Sequence, residues 1–228
     1  MKLPPRRSVR QDDTHRLIPS RHVAGDESVL TRLSRNPDEL KGLFELEGAT
    51  NQRLHGEAGD LEEITVHELL FGVPYAPIVN AAFTHPHPAG SRFNGPNRGA
   101  WYAAFELDTA QAEVAYHKRA ELAEIAWAEE EVFRFVEFLA DLRAEVHDLR
   151  GTKEFAKCLS PVTYKDSQEL AEALLKAGAV ALVYPSVRKS GGTCVVYLRP
   201  ALVSNVRKAQ TLSLTVRPQS KDELLSWR

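Results

Sequence analysis

Four polar side chains stand in or beside predicted elements, where residues from distant segments can meet. Arg92 lies in a loop, Tyr102 on a short apolar segment, Glu113 in the first turns of a predicted helix, and Ser186 after a buried strand. Taken singly, each has an ordinary explanation: a loop cation, a core aromatic, a helix-face carboxylate and a turn hydroxyl. A loop, a strand, a helix start and a strand end can nevertheless converge on one cleft, and these residue types suit binding or catalysis.

A second set of residues has the types, but not the spacing, of a metal centre. His85 and His87 flank Pro86 with no cysteine or carboxylate at ligand spacing, which favours a plain loop. Glu113 and His117 lie four residues apart on one helix face, where a surface or core pair is commoner than a pair of metal ligands. We therefore expect no metal. The sequence also contains no GxGxxG, P-loop or HExxH motif.

The composition is that of an ordinary globular protein. Of the 228 residues, 43% are hydrophobic and 26% charged, and Lys plus Arg (29) nearly balance Asp plus Glu (31), for a net charge of −2. This balance does not suggest a nucleic-acid surface. No apolar run approaches the ~20 residues of a membrane helix, and the N-terminus lacks the apolar region of a secretory signal. We expect a cytoplasmic protein that contacts neither nucleic acid nor membrane.

The two cysteines, Cys158 and Cys194, are too few for the disulfide framework of a small secreted protein. Cys158 has no evident activating partner, so we expect a buried structural thiol there.

The first part of the chain is predicted to be a basic tail followed by helices. Residues 1–25 are turn-prone and rich in arginine, as in a partly disordered tail, with strand character only over 15–19. Residues 26–71 carry helix signals, with caps at Asp26 and Asn36. A third helix is predicted over 60–74, ended by Pro74 and Pro77.

The second part alternates strands with two long helices. Asp108 is predicted to cap the first of these helices with Gln111 as its capping-box partner, and Gly178 to close the second. The Gly191–Gly192 pair indicates a hairpin turn rather than a phosphate cradle. The predicted elements are a loop over 84–100, strands over 100–105, 131–138, 143–151, 179–185, 193–200 and 206–216, and helices over 108–127, 166–177 and 221–227. Because strict βαβ alternation is lacking, this order favours an α+β fold with a mixed, partly antiparallel sheet over a Rossmann fold.

These residues together resemble the RES-domain family of bacterial proteins, named for its Arg, Glu and Ser. The resemblance covers about 85–216 plus an opening strand, and the chain is interpreted as a single RES domain with a basic segment over 1–25 and a helical insertion over 26–80. Phe93 stands where the family usually has Trp, and the long stretch between Arg16 and Arg92 is typical of the larger members. The segments that carry the resemblance are His15-Arg16-Leu17, Ser91-Arg92-Phe93-Asn94, Gly99-Ala100-Trp101-Tyr102-Ala103, Thr109-Ala110-Gln111-Ala112-Glu113-Val114 and Leu182-Val183-Tyr184-Pro185-Ser186.

The resemblance implies an ADP-ribosyltransferase-like fold related to diphtheria-type toxins. It implies a toxin of a type II toxin–antitoxin pair, held inactive by an Xre-type antitoxin, that consumes NAD+ as its substrate. Family members include NAD+ hydrolases and phosphorylases, and larger members that ADP-ribosylate phosphoribosyl pyrophosphate synthetase.

The resemblance also implies a role for each site residue. Glu113 would stabilise the positive charge that develops on the ribose when the bond to nicotinamide breaks. Tyr102 would hold the flat nicotinamide cation. Arg92, with Arg16 as a second cation, would bind the pyrophosphate. Ser186 would orient the ribose or the Glu113 carboxylate.

Several alternatives stay open at the level of sequence. The acceptor of ADP-ribose is a target protein, as in the larger members, or else water or phosphate, which would make the protein an NAD+-depleting glycohydrolase or phosphorylase. A non-catalytic binding protein with the same fold is a second alternative. A metal hydrolase built on His85, His87 and His117 is a distant third.

Overall fold

The computed structural model describes residues 2–23, 64–217 and 226–228. The helices predicted within 26–63, and residues 221–225 of the predicted final helix, lie outside these ranges. Within the ranges described, no helix combines the length and apolarity that a membrane span requires.

A mixed seven-stranded sheet organises the fold, and this confirms the α+β prediction. The spatial order is β1-β2-β5-β4-β3-β6-β7, and β1 also pairs with β3, so the first five strands in this order form a closed cycle of pairings. Among the described strands, β3 and β4 are the one parallel pair. The strands are β1 (Arg6–Pro19), β2 (Trp101–Ala104), β3 (Glu131–Asp148), β4 (Ala181–Pro185), β5 (Thr193–Tyr197), β6 (Ser204–Val216) and β7 (Ser226–Trp227).

The prediction of a partly disordered N-terminal tail is wrong, because residues Arg6–Pro19 form β1. This strand runs antiparallel along β3, from Arg6 opposite His147 to Pro19 opposite Phe135. Arg6, Arg7 and Arg10 are exposed to solvent, whereas Thr14 is fully buried. The Thr14 hydroxyl donates to the Ala140 carbonyl oxygen at 2.8 Å. Pairing with a distant strand therefore orders a segment whose composition alone is typical of a tail.

The two strands predicted over 131–138 and 143–151 are one continuous strand, β3, of 18 residues. Register shifts against β6 occur between Val136 and Phe138 and between Leu139 and Asp141. Such irregularities change which side chains face the core, so the apolar alternation breaks although the strand continues. The interruption of the apolar alternation therefore indicates an irregularity within one strand rather than the end of a strand.

Three α-helices are described: α1 (Ala76–Thr84), α2 (Leu107–Glu124) and α3 (Lys165–Lys176). The helix predicted over 60–74 is wrong for its described part, which has only a single 3-10 turn at Val66–Glu68. Instead, α1 begins at Ala76 with Pro77 in its first turn. Proline is tolerated there because first-turn N–H groups have no intrahelical partner. The two prolines therefore mark the start of a helix, not its end.

The N-cap of α2 is Glu106, not Asp108, which lies inside the helix. The Glu106 carboxylate accepts from Thr109 Oγ1 at 2.8 Å and from the backbone N–H of Thr193 at 3.0 Å. This carboxylate ties the start of α2 to the start of β5, which fixes the helix over the sheet.

The remaining predicted strands and helices are found at or near their predicted positions, apart from the C-terminal residues. The glycine-rich turn joins β4 and β5 as an antiparallel hairpin, with Gly191 at φ 76°. Gly178, at φ 76°, follows α3 as expected of a helix-ending glycine. Residues Ser226–Trp227 pair with β6 as a strand, so the predicted final helix is wrong there.

Two apolar cores lie on opposite faces of the central strands, because side chains alternate along each strand. One contains Val195 and Val183 and packs against α1. The other contains Val196 and Leu182 and packs against α2 and α3. The candidate site opens on the α2 face.

Candidate active site

A cavity of about 570 Å³ lies between α2, the adjoining sheet strands and the loop over 85–100. Four of the five predicted site residues line it: Arg16, Arg92, Tyr102 and Glu113. The remaining lining residues are His15, Leu17, His87, Ala89, Gly90, Ser91, Ala103, Ala104, Ala110, Val114, His117, Glu124, Tyr164, Tyr184 and Cys194.

The fifth residue, Ser186, is behind the cavity wall and contacts it through Glu113. Its hydroxyl donates to Glu113 Oε1 at 2.6 Å. The same carboxylate oxygen lies 3.6 Å from the Cys194 thiol. Burial is the main reason that the pKa of the Cys194 thiol is raised, so this sulfur stays protonated and acts as a donor. Glu113 is therefore held by two donors from the β4–β5 hairpin.

The hairpin loop in turn fixes Ser186. Its Oγ accepts from the backbone N–H groups of Arg188 at 3.1 Å and Lys189 at 2.9 Å. Its own backbone N–H donates to the Gly192 carbonyl oxygen at 2.9 Å. With both acceptor positions used by backbone groups, the hydroxyl hydrogen is directed at Glu113.

Arg92 is buried and held in place from behind. Its Nη1 donates to the carbonyl oxygens of Ser160 at 2.7 Å and Cys158 at 3.4 Å. The guanidinium also stacks on Tyr164, with its central carbon 4.8 Å from the ring centre. A stacked and tethered guanidinium is an oriented binding group for an anion rather than a mobile surface charge.

Tyr102 contributes its ring to the cavity, while its hydroxyl is already engaged. The hydroxyl donates to Asn94 Oδ1 at 2.8 Å and accepts from the backbone N–H of Phe93 at 2.8 Å. Burial raises the pKa of Tyr102, so the phenol is neutral near pH 7. Phe93 itself is fully buried and packs edge-on against Tyr184, with ring centres 4.8 Å apart. The Trp-to-Phe departure is thus a change in core packing beside the site.

Arg16 reaches the cavity from β1. Its Nη1 donates to the Tyr102 carbonyl oxygen at 3.2 Å, and its guanidinium stacks 4.5 Å from the Trp101 ring centre. Burial lowers its pKa to about 10, so the group stays cationic at neutral pH. Its buried Nε has no hydrogen-bond partner among the residues described. A buried cation with an unused N–H suits an anionic ligand.

Sequence reasoning missed several lining residues as site residues. His117 faces the cavity one turn after Glu113, and burial is the main cause that lowers its pKa, so it is neutral near pH 7. The four-residue spacing from Glu113 is the only sequence signal for His117, and it does not indicate that the side chain lines a cavity. His87 also lines the cavity, whereas His85 does not. Across the described part of the chain, no three His, Cys, Asp or Glu side chains cluster as metal ligands would.

Cys158 is buried, as predicted, and burial raises the pKa of its thiol. It lies behind Arg92 through its carbonyl oxygen rather than in the cavity. A structural thiol is the interpretation that fits both observations.

Comparison with known proteins identifies a family and a structural likeness. The family model described as the RES domain matches residues 65–217. The search of curated proteins gives no match. Among solved structures, the crystal structure of the M. tuberculosis MbcT–MbcA toxin–antitoxin complex is similar at 16% identity, with 61% of this chain and 75% of that chain covered and a TM-score of 0.42.

Proposed function

This chain belongs to the RES-domain family, and from that premise we propose that it is an NAD+-consuming enzyme with an ADP-ribosyltransferase-like fold, which cleaves the bond between nicotinamide and ribose. One observation carries the proposal: the Glu113 carboxylate, held at 2.6 Å by Ser186, borders a cavity that also gathers Arg16, Arg92 and Tyr102. A carboxylate, an aromatic ring and two stacked guanidinium groups suit, respectively, the ribose, the nicotinamide and the pyrophosphate of NAD+.

Different side chains of the cavity bind different parts of NAD+. Arg92 and Arg16 bind the pyrophosphate, since guanidinium groups pair with phosphate oxygens through several N–H donors. The unpartnered Nε of Arg16 is the observation in favour of this assignment. The Tyr102 ring holds the nicotinamide, whose positive charge is attracted to an aromatic face.

The reaction breaks the bond between ribose C1 and the nicotinamide nitrogen. The electron pair of that bond stays on nicotinamide, which leaves as a neutral ring, while positive charge develops on the ribose. Glu113 stabilises that charge, and Ser186 and Cys194 keep the carboxylate in position before the reaction begins. The protein acts by positioning and electrostatics.

The acceptor that we favour is a protein, such as phosphoribosyl pyrophosphate synthetase, whose modification would stop growth. This assignment rests on the resemblance to the larger RES proteins. In this proposal the chain is the toxin of a type II toxin–antitoxin pair, and an Xre-type antitoxin is its inhibiting partner.

The test is mass spectrometry of products after the purified protein is incubated with NAD+ and cell lysate. The matched control is Glu113→Gln, which keeps the size of the side chain and an oxygen for Ser186 but removes the charge. We expect nicotinamide release and one ADP-ribose added to a lysate protein, with release reduced by about 100-fold or more in the variant. Calorimetry should show that Glu113→Gln still binds NAD+.

Other outcomes would change the proposal in defined ways. Nicotinamide release with only free or phosphorylated ADP-ribose would make the protein an NAD+ glycohydrolase or phosphorylase. Absence of release from the folded wild type would refute an enzymatic role and favour a binding protein. For the toxin role, expression of the wild type should stop growth, and expression of Glu113→Gln should not.

A further inference from the structure

A histidine–carboxylate pair at one side of the cavity has no part in the mechanism above. His15 Nδ1 lies 2.6 Å from Glu137 Oε1. The Glu137 side chain is 3% exposed, whereas that of His15 is 20% exposed and lines the cavity. The carboxylate is thus shielded behind the imidazole, and the imidazole is the member of the pair that a bound ligand can touch.

The hydrogen bond determines which ring nitrogen of His15 is available. A carboxylate only accepts hydrogen bonds, so Nδ1 carries the hydrogen and the neutral ring has its lone pair on Nε2. None of the described residues forms a hydrogen bond with Nε2. His15 therefore presents a proton acceptor whose orientation is fixed by Glu137, an arrangement typical of a general base.

The strand register places this base in line with Cys194, whose thiol lies beside Glu113. His15 is paired with Ala104, Ala104 with Cys194, and Cys194 with Tyr184, so the four side chains form one row across four strands. All four line the cavity, and the Cys194 thiol is 3.6 Å from Glu113 Oε1. Two strand spacings of about 4.8 Å put the backbones of His15 and Cys194 roughly 10 Å apart.

The residue between them in this row, Ala104, has only a methyl side chain. Ala104 lines the same cavity, and its methyl group takes up little of the space between the His15 and Cys194 side chains.

We propose that His15 is a catalytic residue, the general base that takes a proton from the acceptor, and that Glu137 is the residue that positions it. This inference rests on the proposed function. An oxygen of the acceptor, from water, phosphate or a protein hydroxyl, forms a bond to ribose C1. The bond from C1 to nicotinamide breaks and its electron pair leaves with nicotinamide. The acceptor proton moves to His15 Nε2, and the Glu137 carboxylate stabilises the resulting imidazolium.

The experiment is chemical rescue with azide, a nucleophile that has no proton to lose. We expect His15→Gln to reduce nicotinamide release by about 100-fold or more, the range of general base catalysis, with the Kd for NAD+ within threefold of wild type. Added azide should restore release and give ADP-ribosyl azide. Glu137→Gln should lose less activity and be rescued in the same way, whereas azide should not rescue Glu113→Gln.

The control for fold damage is His147→Gln. His147 is a buried histidine on β3 whose Nδ1 lies 2.6 Å from the Pro4 carbonyl oxygen, and it is not a cavity residue. This variant should be less stable but should keep its activity per folded molecule. Full activity in His15→Gln, or a slow variant that binds NAD+ normally and is not rescued by azide, would overturn the inference alone. An inactive wild type would overturn the proposed function as well.

Discussion

Substitution Ser186→Ala tests how much the enzyme depends on a pre-positioned carboxylate. The substitution removes the 2.6 Å hydrogen bond to Glu113 and leaves the Cys194 thiol, at 3.6 Å, as the remaining donor to that oxygen. Hydrogen bonds to charged groups contribute about 1.5–3 kcal/mol. Because about 1.4 kcal/mol corresponds to a tenfold change in rate, kcat should fall by roughly 10- to 100-fold.

The same substitution has a second effect, on stability. The N–H groups of Arg188 and Lys189 lose their acceptor, the hydroxyl of Ser186. These groups lie in a surface hairpin that water can reach, so the cost should be about 1 kcal/mol. Thermal unfolding measures this effect separately from kcat.

The assay is steady-state nicotinamide release with purified protein, reporting kcat and KM. Two variants serve as comparisons: Ser186→Thr keeps a hydroxyl and should retain most activity, while Cys194→Ala removes only the weaker donor and should lose about two- to fivefold, as expected of a weak S–H bond. A Ser186→Ala enzyme with the kcat of wild type would refute the idea that this hydrogen bond prepares Glu113 for catalysis. So would a Cys194→Ala enzyme that is slower than Ser186→Ala.

Two further predictions concern binding and stability. Arg92→Ala should weaken NAD+ binding by about 10- to 100-fold. Arg92→Lys should weaken it less, because lysine keeps the charge but loses the planar stack on Tyr164. If calorimetry gives both variants the Kd of wild type, Arg92 is not part of the binding site. Partial burial raises the pKa of Glu68, but hydrogen bonds and charge from Arg98 and Arg199 outweigh it and lower that pKa to about 2. The lowered pKa stabilises the fold above the unfolded-state value of about 4.3, and this stabilisation is lost as pH falls from there towards 2. Between pH 4.5 and 2, chemical denaturation should show the free energy of unfolding of wild type falling more steeply than that of Glu68→Gln, and parallel curves would contradict the assignment.

Local sequence signals were sufficient to predict the strands and the helix at the centre of the domain. The apolar run ending at Pro185, the glycine pair in the following turn and the helix ended before Gly178 are short-range features. Each feature depends on residues close together in sequence, so β4, β5 and α3 form where they were predicted.

Elements that depend on distant partners could not be predicted in this way. The strand β1 consists of charged and polar residues over most of its length, and only its pairing with β3 makes it a strand. The register shifts of β3 against β6 interrupt the apolar alternation, so the sequence predicts two strands where the structure has one. In both cases the deciding interaction is between segments far apart in sequence.

The same division applies to the site. Arg92, Tyr102 and Glu113 could be selected because motif and element context single them out, and the structure places them around one cavity. The contact of Ser186 with Glu113 rather than with the cavity depends on the hairpin that fixes it. The row that brings His15 into line with Cys194 depends on the register of two strand pairings, which no local pattern encodes.

The pairing of β1 with β3 also has a consequence for synthesis on the ribosome. Thr14 is hydrogen-bonded to Ala140, 126 positions later. At a rate of synthesis of about 5–20 residues per second, the pairing partner of β1 is therefore made roughly 6–25 s after β1. During that interval a 14-residue strand is unpaired, and its arginines act against aggregation, as charges on strand edges do. The cavity, which draws on residues from His15 to Cys194, is complete only after β5 has emerged. If the protein has the proposed function, the nascent chain cannot act before then, and the delay would give the inhibitor time to bind before the site is complete.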